Sequence, residues 1–499
     1  LDYHARREDV MRRSVIATLV LLLAVPVLAA DLSGFDRYFV DATLRIDYVH
    51  TGNATEEIAT LDQVYRQGNW AGSRVHLVDG CPTGNYCARL FDAAGGALLF
   101  SRSFDSYFGE YTATADAAAG VRRAYHESIL APYPKAKVRV VLERRQRDRS
   151  LKPFFSAEID PSAFTVNRQP LSAGVVVVES LVSGDPHGKV DVVILGEGYT
   201  AAEEGTFRKD LERFAGLLFT VEPFKSAKAS FNVRGVLKPS QESGCDEPSR
   251  GVWRNTALGA SFDALGSERY MLTEDNRAMR DIAAHVPYDA IYLMVNSPRY
   301  GGGGIYNLFC TFTTGNQWAS YIFVHEFGHA FAGLADEYYT SSVAYNEFYP
   351  KGIEPTEENI TALLDPKHLK WKDLVTAGTA VPTPWEKRAF DEMDIAYQKI
   401  RGEINDSIAK AMREGAPPAE VEKLKAESER LSKAHADKVD AFLAKSAFVG
   451  EVGAFEGAGY AAEGLYRSQL DCIMFTKGDK PFCAVCDRAI RRVIARYGE

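Results

Sequence analysis

Between Val324 and Tyr339 the chain reads V-H-E-F-G-H-A-F-A-G-L-A-D-E-Y-Y, and no other stretch restricts the possible structures as tightly. His325 and His329 stand four residues apart, so on an α-helix both imidazoles leave one face about one turn apart and can share a metal ion. Glu326 sits beside them, placed to act on a water at that metal. Two histidines do not complete such a site, because a catalytic zinc takes three protein ligands and keeps a fourth position open. Gly333 offers a route to the third. Glycine accepts the left-handed conformation that commonly ends a helix, so the chain can turn back there and bring Asp336 or Glu337 under the metal. Asp336 is the expected ligand and Glu337 the other candidate. A metal-dependent hydrolase is the leading implication.

The surrounding segments alternate strand and helix. Val190 to Leu195 reads as a buried strand, and Thr200-Ala201-Ala202-Glu203 as a capping box opening a helix whose Phe207, Leu211, Phe214 and Leu218 fall on one face. Asp289 to Val295 and Ile305 to Thr313 read as further strands leading to the histidine helix. The run Gly301 to Gly304 lacks the lysine and hydroxyl of a phosphate loop. It reads as a flexible lip beside a cleft, followed by a strand that an extended peptide could join, or as a tight turn. This α/β (α+β) domain is expected to span residues 151–499, after the charged stretch Arg144 to Lys152.

Ahead of it, residues 31–150 read as a β-sandwich-like accessory domain for binding or spacing. Val40, Ala42, Leu44, Ile46 and Tyr48 alternate with polar neighbours at the period of a half-buried strand, and Lys137 to Leu142 is a second β-like run. Within the larger domain, the charged segment Lys387 to Lys445 reads as an inserted helical hairpin, broken at Gly415-Ala416-Pro417-Pro418. One apolar stripe is Met393, Tyr397, Ile400, Ile404 and Ile408; Leu424, Leu431 and Phe442 make a sparser second. It is either a solvated insertion or a lid or exosite.

A net charge of −9 argues against a general nucleic-acid binder. Met11-Arg12-Arg13 followed by a short apolar run to Ala30 has the form of a secretory signal peptide over residues 1–30, with the residues before Met11 an over-extended start. Pro26 interrupts the run, which is short for a spanning helix, so stable membrane insertion is not expected and the destination is secreted or periplasmic. Export permits disulfides among the seven cysteines. Cys81 and Cys87 can close a small loop. Cys472, Cys483 and Cys486 lack a nearby fourth cysteine or histidine, so disulfides are expected in preference to a second metal site. The other eight histidines, among them His76, His126, His285 and His435, read as structural or solvated.

Several motifs in fixed order carry a resemblance. Y-G-G-G-G-I-Y-N at Tyr300 to Asn307, the His325 to Tyr339 segment, T-P-W-E at Thr383 to Glu386, and F-E-G-A-G-Y, G-L-Y-R and C-I-M-F between Phe455 and Phe475 resemble peptidase family M64, the igalysins. L-G-E-G-Y-T-A-A-E at Leu195 to Glu203 matches as well, and the strand-rich segment resembles the family's N-terminal domain. The resemblance implies zinc held by His325, His329 and Asp336, Glu326 as general base and acid, and a protein or peptide substrate. It also implies a metzincin-like domain with a methionine turn at Met474, although the metzincin pattern has its glycine one residue earlier and a histidine where this chain has a carboxylate. Tyr460 and Tyr466 are candidate oxyanion donors. The competing reading is a catalytically silent binding or adhesion protein, with a cell-wall peptide amidase a third; substrate identity and oligomeric state are not legible.

Overall fold

A computed structural model describes residues 34–340 and 348–498. The expected signal peptide lies outside the described residues. No described helix is long and apolar enough to cross a membrane.

The molecule is organised on a six-stranded mixed sheet. Its order is Gly302–Ile305, Phe309–Thr313, Ala290–Val295, Val190–Glu197, Phe231–Leu237 and Val176–Leu181, with the four inner strands parallel and both edges antiparallel. The apolar runs of the inner strands follow from burial on both faces. Val190, Val192 and Ile194 join one core cluster while Val193 and Leu195, pointing the other way, join a second. The first cluster is closed by helices. Helix Glu204–Leu218, opened by the Thr200–Glu203 capping box, contributes Phe207, Leu211, Phe214 and Leu218. Helix Ala319–Ala332 lies on the same face, where Tyr292 stacks on Phe323 at 4.5 Å and on Phe327 at 4.8 Å.

The second cluster is closed by the N-terminal region. Two antiparallel sheets face each other there. One is three-stranded (Glu57–Gln67, Phe39–Gly52, Arg123–Pro134) and the other four-stranded (Leu98–Phe104, Tyr86–Asp92, Val138–Arg145, Leu151–Ile159). Leu44, Ile46, Leu90 and Val140 share the core between them. Tyr107, Phe108 and Tyr125 from this region then pack with Val193, Leu195, Ile291 and Leu293 of the large sheet.

Four expectations need correction. The strand-rich region runs to Ile159, past residue 150, because Arg144 to Lys152 is a solvated hairpin whose second strand pairs back on Val138–Arg145. In strand Phe39–Gly52 the supposedly outward Arg45 and Asp47 are fully buried, since they pair with each other and Asp281 covers Arg45. The strand expected at Ile305 to Thr313 begins at Phe309; the glycines themselves form the preceding edge strand. Among the described residues, which include all seven cysteines, Cys81 and Cys87 form the one disulfide, and Cys245, Cys310, Cys472, Cys483 and Cys486 are buried free thiols.

The charged segment forms two long helices, Lys387–Arg413 and Pro418–Leu443, turned at Gly415. They lie side by side, with Tyr397 stacked on His435 at 3.9 Å and Phe390 meeting Phe442 at 6.3 Å. Their base belongs to the main core through Phe390, Ala436, Val439 and Leu443. Ile400 is 46% exposed while Ile408 at the far end of the stripe is buried, so the first stripe is interrupted at Ile400.

Candidate metal centre

Helix Ala319–Ala332 ends at Gly333, whose φ of +60° and ψ of +37° are left-handed. A side chain there would also press on Thr83 and Tyr306. The turn reverses the chain, and Asp336 returns beneath the helix. Its Oδ1 lies 3.0 Å from His325 Nε2 and 3.2 Å from His329 Nε2, and the two Nε2 atoms are 3.2 Å apart. Three ligand atoms thus form a nearly equilateral triangle. Ligands roughly 2 Å from one zinc in tetrahedral array stand about 3.3 Å apart, so the triangle fits that ion.

The outer contacts agree with this fit. His325 Nδ1 donates to Ile473 O at 2.9 Å and His329 Nδ1 to Leu334 O at 2.6 Å. Each bond fixes the proton on Nδ1 and turns the Nε2 lone pair inward. Asp336 is buried, and its Oδ1 makes no hydrogen bond although Oδ2 accepts one from Tyr460 Oη at 2.6 Å. The charges point the same way. Burial alone would lower the His329 pKa, yet Asp336 and Glu326 hold it at about 9. A field that retains a proton on a buried imidazole favours a divalent cation at the same point.

Glu326 projects from the helix next to both histidines, with a carboxylate oxygen within 4.8 Å of their ligand atoms. Burial raises its pKa and the two histidines oppose that shift. Glu326 and His329 keep a small exposed part, 14% of the His329 side chain, facing a cleft that Tyr338, Tyr349, Tyr460 and Arg269 also line. The glycine run forms one wall. A Cβ at Gly304 would stand 2.6 Å from Glu326 O and 2.9 Å from His329 Cβ, so the bare backbone is what lets strand and helix touch. Met474 is fully buried below the helix, its Sδ 3.0 Å from a Cβ position at Gly328.

The residues expected at the site therefore meet, except Tyr466 and the alternative ligand Glu337, which lies among Cys472, Cys483 and Cys486. Tyr466 is half-exposed on strand Ala461–Gln469 and does not line the cleft. Tyr460 does, but its hydroxyl is engaged by Asp336. Other contributors were missed. Tyr338 follows the D-E pair and accepts a hydrogen bond from Arg269 at 3.0 Å, and it could have been singled out from its position in the motif. Arg269, like Asp105 and Glu110 of the N-terminal region, reaches the cleft only through tertiary packing, with no local signal.

Residues 178–494 match the family described as IgA Peptidase M64, and residues 34–156 match Peptidase M64 N-terminus. No curated protein matches the chain. The family match covers more than half of the chain and includes every residue of the triangle, so the chain belongs to the M64 family of metallopeptidases.

Proposed function

We propose that the chain is a zinc-dependent endopeptidase that cleaves proteins or peptides outside the cytoplasm, with His325, His329 and Asp336 as ligands and Glu326 as general base. One observation carries this reading: three buried ligand atoms converge at 3.0–3.2 Å with a glutamate at their side, inside a cleft. When bound, zinc supplies Lewis acidity, making a water acidic near pH 7 and polarising a carbonyl. Glu326 accepts the proton of the attacking water and delivers it to the leaving amine. With their Nδ1 protons committed to backbone carbonyls, His325 and His329 would offer their Nε2 lone pairs to the ion, which takes the place of the proton that His329 otherwise holds. Tyr460, whose phenol burial keeps protonated, holds Asp336 in place instead of serving the oxyanion. We read the helix, the left-handed turn and Met474 beneath them as metzincin-like.

The edge strand Gly302–Ile305 borders the cleft, and beyond Gly302, which bonds to Arg269 and Met271, its backbone could pair with an extended substrate. Specificity for immunoglobulin A does not follow from these residues. Chelation tests the reading. Cleavage of a mixed peptide library should disappear after metal removal and return with zinc but not magnesium. Cleavage that survives removal of the metal would exclude it.

A further inference from the structure

Glu337 turns away from Asp336 and enters a second, separate cluster. Its carboxylate is fully buried among Cys472, Cys483 and Cys486, and one ligand atom from each of the four lies within 4.8 Å of all the others. Cys472 Sγ and Cys486 Sγ are 3.9 Å apart, while Glu337 Oε1 stands 3.5 Å from Cys486 Sγ and 3.9 Å from Cys483 Sγ. Such spacings are far too long for a disulfide, whose sulfurs bond at about 2.05 Å. They match a tetrahedron around one zinc, where sulfurs at about 2.3 Å and an oxygen at about 2.0 Å imply edges of roughly 3.8 and 3.5 Å.

The environment is built for thiolates. Backbone N–H groups point at two of the sulfurs: Met474 and Cys483 at Cys472 Sγ, at 3.5 and 3.2 Å, and Cys486 at Cys483 Sγ, at 3.4 Å. Ser468 Oγ lies 3.1 Å from Cys483 Sγ. Asn359 donates to Glu337 Oε1 at 3.0 Å, but Oε2 has no hydrogen-bond partner, and among the described residues no basic side chain forms an ion pair with Glu337. A buried carboxylate beside three thiols, opposed by the charge of nearby Arg467 without a direct ion pair, is costly, and a divalent ion would offset that cost.

We propose that Glu337, Cys472, Cys483 and Cys486 bind a second metal ion, zinc by the softness of the ligand set, in a closed structural site. The three thiols release their protons to solvent as the ion binds. Four protein ligands leave no open position, so the ion does no chemistry. Its effect is mechanical. It joins the segment after the histidine helix, the turn carrying Met474, and helix Ala484–Ala495, which Cys483 caps. Glu337 N–H already donates to Met474 O at 2.8 Å, and Ile473 O orients His325. The second ion thus braces two partners of the first centre from behind.

The test is cobalt reconstitution of the anaerobically purified protein, read by metal content and by the thiolate-to-cobalt charge-transfer band. Two equivalents and the band are expected. His329→Ala should keep the band and one equivalent, Cys483→Ser should lose the band and keep one equivalent at the histidine centre, and Glu337→Gln, which preserves shape, should release cobalt to a chelator about tenfold faster or more. The proposal is overturned if the protein binds one equivalent that His329→Ala abolishes, if no charge-transfer band forms, or if Glu337→Gln retains cobalt like the wild type. It also fails if the three cysteines are recovered oxidised. A band without cleavage activity would sink the peptidase reading and leave this site standing, so the two failures are distinct.

Discussion

At Gly304 a single methyl group would have nowhere to go. Backbone oxygen of Glu326 and the Cβ of His329 occupy the space, and neither can move without moving the metal-binding face. Gly304→Ala should therefore destabilise the fold by about 1–3 kcal/mol, the usual cost of overpacking, and weaken metal retention. Thermal melts with metal titration would check this; an unchanged variant would mean that strand and helix are not held in register. His50 lies buried between two glutamates. Burial would lower its pKa, but Glu127 at 2.8 Å and Glu57 at 2.9 Å override that and raise it to about 9. The folded protein keeps a proton that the unfolded chain loses near pH 6.5. Stability from this triad is complete below about pH 6.5 and is lost as the pH rises through about 9, on the order of 3 kcal/mol in all. Melting temperature should fall more steeply between those values in the wild type than in His50→Gln. Parallel curves would contradict the assignment.

At the scale of elements, what the sequence revealed depended on whether the deciding force was local. The histidine helix, its glycine stop and the capping box before Glu204–Leu218 are written in neighbouring residues, and each stands where its pattern places it. Strand Val190–Glu197 was legible from its apolar run alone. The failures are tertiary. Gly302–Ile305 lacks every side chain that marks a strand, and it pairs because Phe309–Thr313 lies beside it and the helix requires a bare surface. Arg45 and Asp47 look solvent-facing until Asp281, more than two hundred positions on, covers Arg45. Cys472, Cys483 and Cys486 seemed to lack a fourth partner because Glu337 is remote in sequence. Within the helical pair, polar Asp394 is buried by His435 and Thr340, which no periodicity reports.

Across the whole molecule, the strand-rich region and the large sheet share one hydrophobic cluster, from Tyr107 and Tyr125 to Leu195 and Leu293. Hydrogen bonds tie them further: Asp105 N–H to Tyr306 O at 2.9 Å and Asn307 Nδ2 to Ser103 O at 2.7 Å. Asp105 and Glu110 also line the cleft. The N-terminal region is thus part of the cleft wall, in addition to any binding or spacing role. Calorimetry should show one cooperative transition, and two well-separated transitions would contradict a shared core.

The proposed chemistry of the cleft requires Glu326 to act at a metal held by His325, His329 and Asp336. Purified wild type and Glu326→Ala should be compared for zinc content and for cleavage of a diverse peptide library. Both proteins should carry zinc at the triangle, with cleavage reduced about 10²- to 10⁴-fold in the variant. Equal cleavage by the two, or a wild type that binds no metal there, would refute the mechanism.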